Sequence, residues 1–229
     1  SSSDPSEILY NRGQDDTISF DRVGNEITGL TRSHELVTYD DGDITAAVFD
    51  FDNDGRQDIY IGSTDYPSTR GLLYHQQDTG LFQSVDIDIG IDHVRSHGVA
   101  VADFDRDGDL DIVVGHSRNR CGDECYDTAQ VRLFENQISG RFVQLSLEGS
   151  DGSNRSAIGA RVIVEHDGMV QSQQIGGGFG HYGMQNDLIL HFGLGESCEA
   201  NVTVHWPDME RTITEISVKA GGLYSVTQE

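Results

Sequence analysis

Two stretches of the chain gather more carboxylate than a turn needs. Between Val48 and Gly62, VFDFDNDGRQDIYIG sets Asp50, Asp52, Asp54 and Asp58 within nine residues, with apolar strand formers on both sides. Between Val99 and Gly115, VAVADFDRDGDLDIVVG repeats the set 53 residues later as Asp103, Asp105, Asp107 and Asp111, with Gly108 in the place of Gly55. Two carboxylates ~5 Å apart repel by roughly 3 kcal/mol at an effective dielectric of ~20. Four in one turn imply a cation among them.

Aspartate at positions 1, 3, 5 and 9 with glycine at 6 suits Ca²⁺, which takes about 6–8 oxygens at about 2.3–2.6 Å from carboxylates, a backbone carbonyl and water. Side chains at alternate positions of a tight turn converge on one point, and glycine permits the bend. Position 7 offers its carbonyl, so Arg56 in one loop and Asp109 in the other are both acceptable there. The candidate ligands are therefore Asp50, Asp52, Asp54, Arg56 and Asp58 for one Ca²⁺ and Asp103, Asp105, Asp107, Asp109 and Asp111 for a second. An EF-hand would need glutamate at position 12, where the chain has Ile61 and Val114. A merely solvated acidic turn does not explain the same pattern twice.

The segments Ala46–Phe49 and Asp58–Ile61 flank the first loop, and Val99–Ala102 and Asp111–Val114 the second. All four read as buried strands, so each loop joins two strands. A fixed period of this size signals a repeat array or propeller. A second repeated unit, an apolar-aromatic pair followed by a polar turn and phenylalanine, occurs three times: LYNRGQDDTISF from Leu9, LYHQQDTGLF from Leu73 and LFENQISGRF from Leu133. Each is expected to be a hairpin, alternating with the two loops.

The chain has 229 residues, with 15 Lys+Arg against 39 Asp+Glu and a formal charge of −24. That sign argues against nucleic acid or an anionic membrane as partner, since both need basic patches. Twenty-seven glycines between short Val/Ile/Tyr/Phe runs predict an all-β chain with many tight turns. No apolar run approaches the ~18 residues of a membrane helix. The start, SSSDPSE, shows no signal peptide and reads as a processed or truncated end, which is compatible with secretion.

The two aspartate segments resemble the FG-GAP/VCBS repeats of integrin-type β-propellers, over about residues 1–142. In that family each blade carries a DxDxDGxxD calcium loop between strands, which the aspartates above match position by position. After Phe142 the loops stop, and short strands are expected at Phe142–Leu147, Ala160–Glu165, Leu188–Phe192, Val202–Trp206 and Leu223–Val226. Alternation in VTVHW and RVIVE predicts half-exposed sheet in a small sandwich. Residues 143–229 resemble the ASPIC/UnbV domain through SNRSAIGARV (Ser153–Val162), LHFGLG (Leu190–Gly195) and WPD (Trp206–Asp208). The glycine that usually follows WPD is Met209 here, and the aromatic that often opens the domain as tryptophan is Phe142. The resemblance extends to secreted acidic proteins of the cartilage acidic protein family and implies propeller-type blades followed by a sandwich, outside the cell.

Other residues invite chemistry less. HVRSH, His93 to His97, has the i, i+4 spacing of a zinc pair but lacks further ligands and a helix to align them, so surface or turn histidines are expected. The glycine-rich GGGFGHYG, Gly176 to Gly183, lacks the lysine and following helix of a phosphate cradle. No nucleophile–base set is recognisable, so an enzyme is not expected; the alternative would use His181 beside that turn. Cys121 and Cys125 in CGDEC suit a loop disulfide or, less well, a metal pair, and Cys198 is expected to be a buried thiol. Asn154 and Asn201 stand in formal glycosylation sequons, with a structural role competing at Asn154.

About two blades fall short of the 4–8 typical of a closed propeller. Open edges favour pairing with another chain. The expected function is therefore calcium-stabilised binding of a protein or glycan partner, or assembly of copies into a filament or surface layer by strand addition led by Ser1–Glu7.

Overall fold

The computed structural model describes residues 7–14, 17–31, 43–64, 69–85, 89–119, 126–128, 130–150 and 152–229. It is nearly all β. Strands β1 (Ile8–Asn11) and β2 (Phe20–Val23) form an antiparallel pair, followed by a single helical turn, α1 (Asn25–Thr28). Strands β3 (Asp43–Phe49), β4 (Asp58–Ser63), β5 (Leu72–Gln76) and β6 (Phe82–Ser84) make a four-stranded sheet in sequential order. Strands β7 (Ser96–Ala102), β8 (Asp111–His116) and β9 (Val131–Phe134) make a three-stranded sheet, again in sequential order. These two sheets are the blades that the repeat predicts, and each aspartate loop joins the first two strands that meet at it.

The remaining strands are β10 (Arg141–Glu148), β11 (Arg161–His166), β12 (Met169–Gln174), β13 (Leu190–Gly195), β14 (Glu199–His205), β15 (Ile213–Lys219) and β16 (Gly222–Thr227), with a short 3-10 turn at His181–Gly183. They form one sheet in the order β13-β10-β16 and another in the order β12-β11-β14-β15. The two sheets enclose one core of Val143, Leu145, Leu147, Val162, Val164, Phe192, Leu194, Val202, Val204 and Trp206, all buried. This is the expected small sandwich. Strands β12 and β15 escape the sequence reading because MVQSQQ and ITEISVK are polar at most positions.

Two of the three repeated hairpins form. LYNRGQDDTISF supplies β1 and β2, and LYHQQDTGLF supplies β5 and β6 with Gln76 opposite Phe82. The third does not. Leu133 and Phe134 end β9, whereas Phe142 belongs to β10, which pairs antiparallel with β13 and parallel with β16. The alternation of Val143, Leu145 and Leu147 explains the outcome: one face of β10 must cover the sandwich core, and that burial outweighs local pairing with β9.

Two compact units emerge. The first comprises Ser1–Val48, Gln57–Val99 and Val114–Arg132; the second comprises Phe49–Arg56, Ala100–Val113 and Leu133–Glu229. The first has its own core of Leu30, Ile61, Leu72, Tyr74 and Phe82. Gly29 ends α1 at φ 82°, and a Cβ there would lie 2.2 Å from the Phe82 carbonyl oxygen, so only glycine lets the turn approach β6. The second unit holds the sandwich, all of the second aspartate loop, and the first loop as far as Arg56.

Candidate metal centre

The sandwich explains why the loops sit where they do. Along β10 and β13, Val143, Leu145, Leu190 and Phe192 point into the core. By the two-residue period of a strand, Phe142, Gln144, His191 and Gly193 point to the opposite face. That face should be wet, yet Gln144 and His191 are both buried. The aspartate loops cover it. A Cβ on Gly193 would lie 2.1 Å from Asp50 Oδ2 and 2.6 Å from Asn53 Cα, and one on Gly108 would lie 1.9 Å from Phe142 Cε1. Two glycines, one on each side of the contact, make room for it.

A buried polar chain crosses that contact. Gln144 Nε2 donates to Asp103 Oδ2 at 2.6 Å and lies 3.3 Å from His191 Nδ1. His191 Nε2 lies 2.6 Å from Asn53 Oδ1, and Asn53 Nδ2 donates to the Gly108 carbonyl at 3.1 Å. Since Asn53 donates through Nδ2, its Oδ1 accepts, so the network places the imidazole proton on Nε2 and leaves Nδ1 to accept from Gln144. Burial pushes His191 down to about 4 against the pull of Asp103, consistent with a neutral ring. The chain links the first loop to the second through two strands of the sandwich. Asn136 adds a further tie, its Nδ2 donating to the Phe51 carbonyl at 2.6 Å. None of Asn53, Gln144, His191 and Asn136 was singled out from sequence. The one available signal was polar residues at buried-strand positions, as in LHFGLG.

Within the second loop, Asp103, Asp105 and Asp111 each offer a carboxylate oxygen within 4.8 Å of the others, and Asp105, Asp107 and Asp109 form a second such group. Oxygens bound to one Ca²⁺ at about 2.4 Å are at most about 4.8 Å apart, so the spacing is that of a shared ion. Asp111 is anchored by Phe104 N and Asn136 N, each 2.8 Å away, and Asp103 accepts from Gly108 N at 3.2 Å. Asp103 Oδ1 and Asp109 Oδ1 are buried and have no hydrogen-bond partner among the described residues. Buried carboxylate oxygens without donors are costly, and a divalent cation would satisfy them. Asp109 is pushed up to about 7, first by burial and then by Asp107, with which it shares a hydrogen bond. Its side chain thus joins the cluster in addition to the carbonyl expected from position 7.

The first loop repeats the scaffold. Asp50 accepts from Gly55 N at 2.7 Å and Asp54 N at 3.2 Å, and Asp54 accepts from Arg56 N at 2.8 Å. The Arg56 guanidinium pairs with Asp54 Oδ2. Burial pushes Asp50 up to about 7, reinforced by the charges of Asp54 and Asp52 and opposed by the Gly55 amide. Asn53 and Arg106 occupy matching positions with φ 61° and 64°, and Gly55 and Gly108 follow with φ 89° and 100°. The same backbone bend therefore recurs. Asp58 opens β4, fully buried, and accepts from Gln76 N at 2.8 Å, as Asp111 accepts from Asn136 N.

Residues 50–114 match an FG-GAP-like repeat, and residues 149–229 match the ASPIC and UnbV domain. The chain is thus similar to an FG-GAP-like repeat in one segment and to an ASPIC and UnbV domain in another. Cartilage acidic protein 1 of Homo sapiens is 23% identical over 197 residues, covering 80% of this chain and 27% of the relative. The protein of that name from Xenopus tropicalis is 26% identical over 188 residues, covering 80% and 28%. The chain therefore spans about a quarter of the length of the curated relatives it matches. The aspartates above fall in the FG-GAP-like repeat, and Gly193 and His191 fall in the ASPIC and UnbV domain.

Elsewhere the expectations divide. In the ASPIC and UnbV domain, Asn154 has the structural role: its Oδ1 accepts from Ile158 N at 2.9 Å and its Nδ2 donates to the Ile158 carbonyl at 2.8 Å. After WPD, Asp208 Oδ1 accepts from Thr212 N at 3.0 Å, Arg211 takes φ 58°, and Met209 is fully exposed at the tip. Cys198 is exposed, not buried, because it lies in the turn between β13 and β14. His93 is a core residue and not a surface histidine: it is fully buried, with Nδ1 3.0 Å from Ser96 Oγ. Among the described residues neither His93 nor His97 joins a group of three metal-ligating side chains. Cys121 and Cys125 lie outside the described residues, as does most of the Ser1–Glu7 arm.

Proposed function

We propose that the chain is a calcium-dependent extracellular binding module, with Ca²⁺ held by Asp50, Asp52, Asp54 and Asp58 and by Asp103, Asp105, Asp107, Asp109 and Asp111, and no catalytic role. The observation that carries this reading is the pair of buried carboxylate oxygens without donors among the described residues, Asp103 Oδ1 and Asp109 Oδ1, on residues of two clusters of ion-sharing size that share Asp105. The bound ion would offset part of each loop's negative charge and clamp the loop to the Phe142–Gln144 and His191–Gly193 face of the sandwich. Calcium binding is then coupled to folding. Extracellular modules bind calcium at about 10⁻⁴–10⁻³ M, so surrounding calcium would keep the sites filled. The likeness to cartilage acidic protein supports a place outside the cell, and the partner proposed there is a protein or a glycan.

Calcium titration by calorimetry tests this. The expected result is binding at two sites per chain, lost when Asp107→Ala and Asp54→Ala are combined. Absence of heat up to 10 mM calcium, a concentration well above the ~1 mM upper bound for such modules, would refute it.

A second reading is self-assembly by strand addition. It is favoured by β9, at the edge of its sheet, which shows Val131 and Leu133 to solvent. Light scattering after gel filtration decides between the two: a concentration-dependent oligomer abolished by Val131→Lys supports assembly, and a monomer at all concentrations excludes it.

A further inference from the structure

We propose that the first unit contains an oxyanion-binding site built on Arg95, which takes a carboxylate-, sulfate- or phosphate-type group side-on. Arg95 is the middle residue of HVRSH. It is 1% exposed and among the largest fully buried side chains. Its backbone sits in the left-handed region at φ 53°. Its own N–H donates to the Thr69 carbonyl at 2.9 Å, and its carbonyl accepts from Ser117 N at 3.2 Å, so the bend is held from both sides. A bulky residue kept in that region stores strain, which proteins retain chiefly where a side chain must be aimed.

The guanidinium is only partly answered. Nη1 donates to the Asn119 carbonyl at 3.3 Å. Among the described residues, Nε and Nη2 are buried without a hydrogen-bond partner and no carboxylate pairs with the charge. A lysine in this position could shed its proton; arginine cannot at any ordinary pH. A buried charge that no described residue pairs is costly to leave uncompensated, and an anion would compensate it. The two unanswered nitrogens also specify its shape. Nε–H and the near N–H of Nη2 are parallel and coplanar, forming the side edge of the guanidinium that receives two oxygens of one group. With Nη1 held by Asn119, that edge is the one presented. The neighbouring His93 adds no positive charge: it is pushed down to about 4, chiefly by burial and then by Arg132 and His116, and so is neutral near pH 7.

The test uses the full chain in chelator, with sodium sulfate, sodium phosphate and sodium acetate each titrated to 20 mM against sodium chloride at matched ionic strength, a range far above millimolar affinity. At ten times its dissociation constant a bound anion raises the folding constant about elevenfold, which shifts the melting temperature by several degrees and saturates. Acetate alone being effective marks a carboxylate as the ligand; sulfate and phosphate being effective marks a tetrahedral oxyanion. Arg95→Gln should abolish the shift, and Arg95→Lys, which keeps the charge but loses the fork, should weaken it at least tenfold. No saturable response of the wild-type chain to any of the three anions, by melting or by calorimetry, overturns the proposal without recourse to a variant. An equal response in Arg95→Lys overturns it as well.

Discussion

Replacing Asp103 by asparagine separates the ion's contribution from that of the fold. The substitution keeps the shape and keeps an oxygen to accept from Gln144 Nε2 at 2.6 Å and from Gly108 N at 3.2 Å. It removes one negative charge and converts the donorless Oδ1 into an N–H group, beside the carboxylates of Asp105 and Asp111. Without calcium the exchange relieves repulsion, so the melting temperature should stay within about 1 °C of wild type or rise. With calcium the outcome reverses. At 10 mM calcium and a dissociation constant of ~10⁻⁴ M, an ion stabilises by about 2.7 kcal/mol. A hundredfold loss of affinity leaves about 0.4 kcal/mol, a loss of about 2.3. For a chain of this size each kcal/mol moves the transition by about 2–4 °C, so Asp103→Asn should melt about 5–9 °C lower in calcium. The assay is thermal unfolding by circular dichroism, in 10 mM calcium and in chelator, following the sandwich transition. An equal drop under both conditions would show that Asp103 matters only as a packed polar side chain. A wild-type transition indifferent to calcium would remove the ion from the account altogether.

Three further outcomes are expected. Gly193→Ala should destabilise the second unit by about 2–3 kcal/mol, since its Cβ would meet Asp50 and the Asn53 backbone inside normal contact; a denaturant midpoint equal to wild type would mean that the loop does not rest there. His93, buried and pushed down to about 4, makes the first unit lose stability as pH falls from its ordinary value of 6.5 towards 4, because only the unfolded chain takes up the proton in that window. The loss should reach about 2–3 kcal/mol after allowance for screening and should flatten in His93→Gln; an identical pH profile in that variant would contradict it. Cys198, exposed in a turn, should react with a thiol reagent in the native state, and Cys198→Ser should leave stability within about 0.5 kcal/mol; protection until unfolding would refute the exposure.

Much of this was legible because it is local. The aspartate spacing, the glycine at position 6 and the strand on each side are all contained within about fifteen residues, and the same bend appears twice in the backbone. The blades follow from the aspartate segment repeating 53 residues later, and the sandwich from alternation in VTVHW and RVIVE. What was not legible depends on partners distant in sequence. LFENQISGRF has the form of its two hairpin relatives, yet Phe142 is drawn into β10 by the pairing of Val143 with Phe192 and with Gly222. Gln144 and His191 look like solvent-facing positions until the loops, some forty and one hundred and forty residues earlier, are laid over them. HVRSH showed two histidines at a metal spacing, while the residue that is anomalous in space is the arginine between them.

Gly108 receiving Phe142, and Gly193 receiving Asp50, mean that repeat and sandwich are cast against each other. The two matched segments are therefore poor cut points for recombination. A graft taken from residue 149 onward would leave Phe142 and Gln144 behind on the donor. A foreign repeat spliced in front of it, which already carries Gly193, would need a glycine at the place of Gly108 before it could seat. The piece that can be inherited or transplanted whole is the loop pair together with the face it rests on.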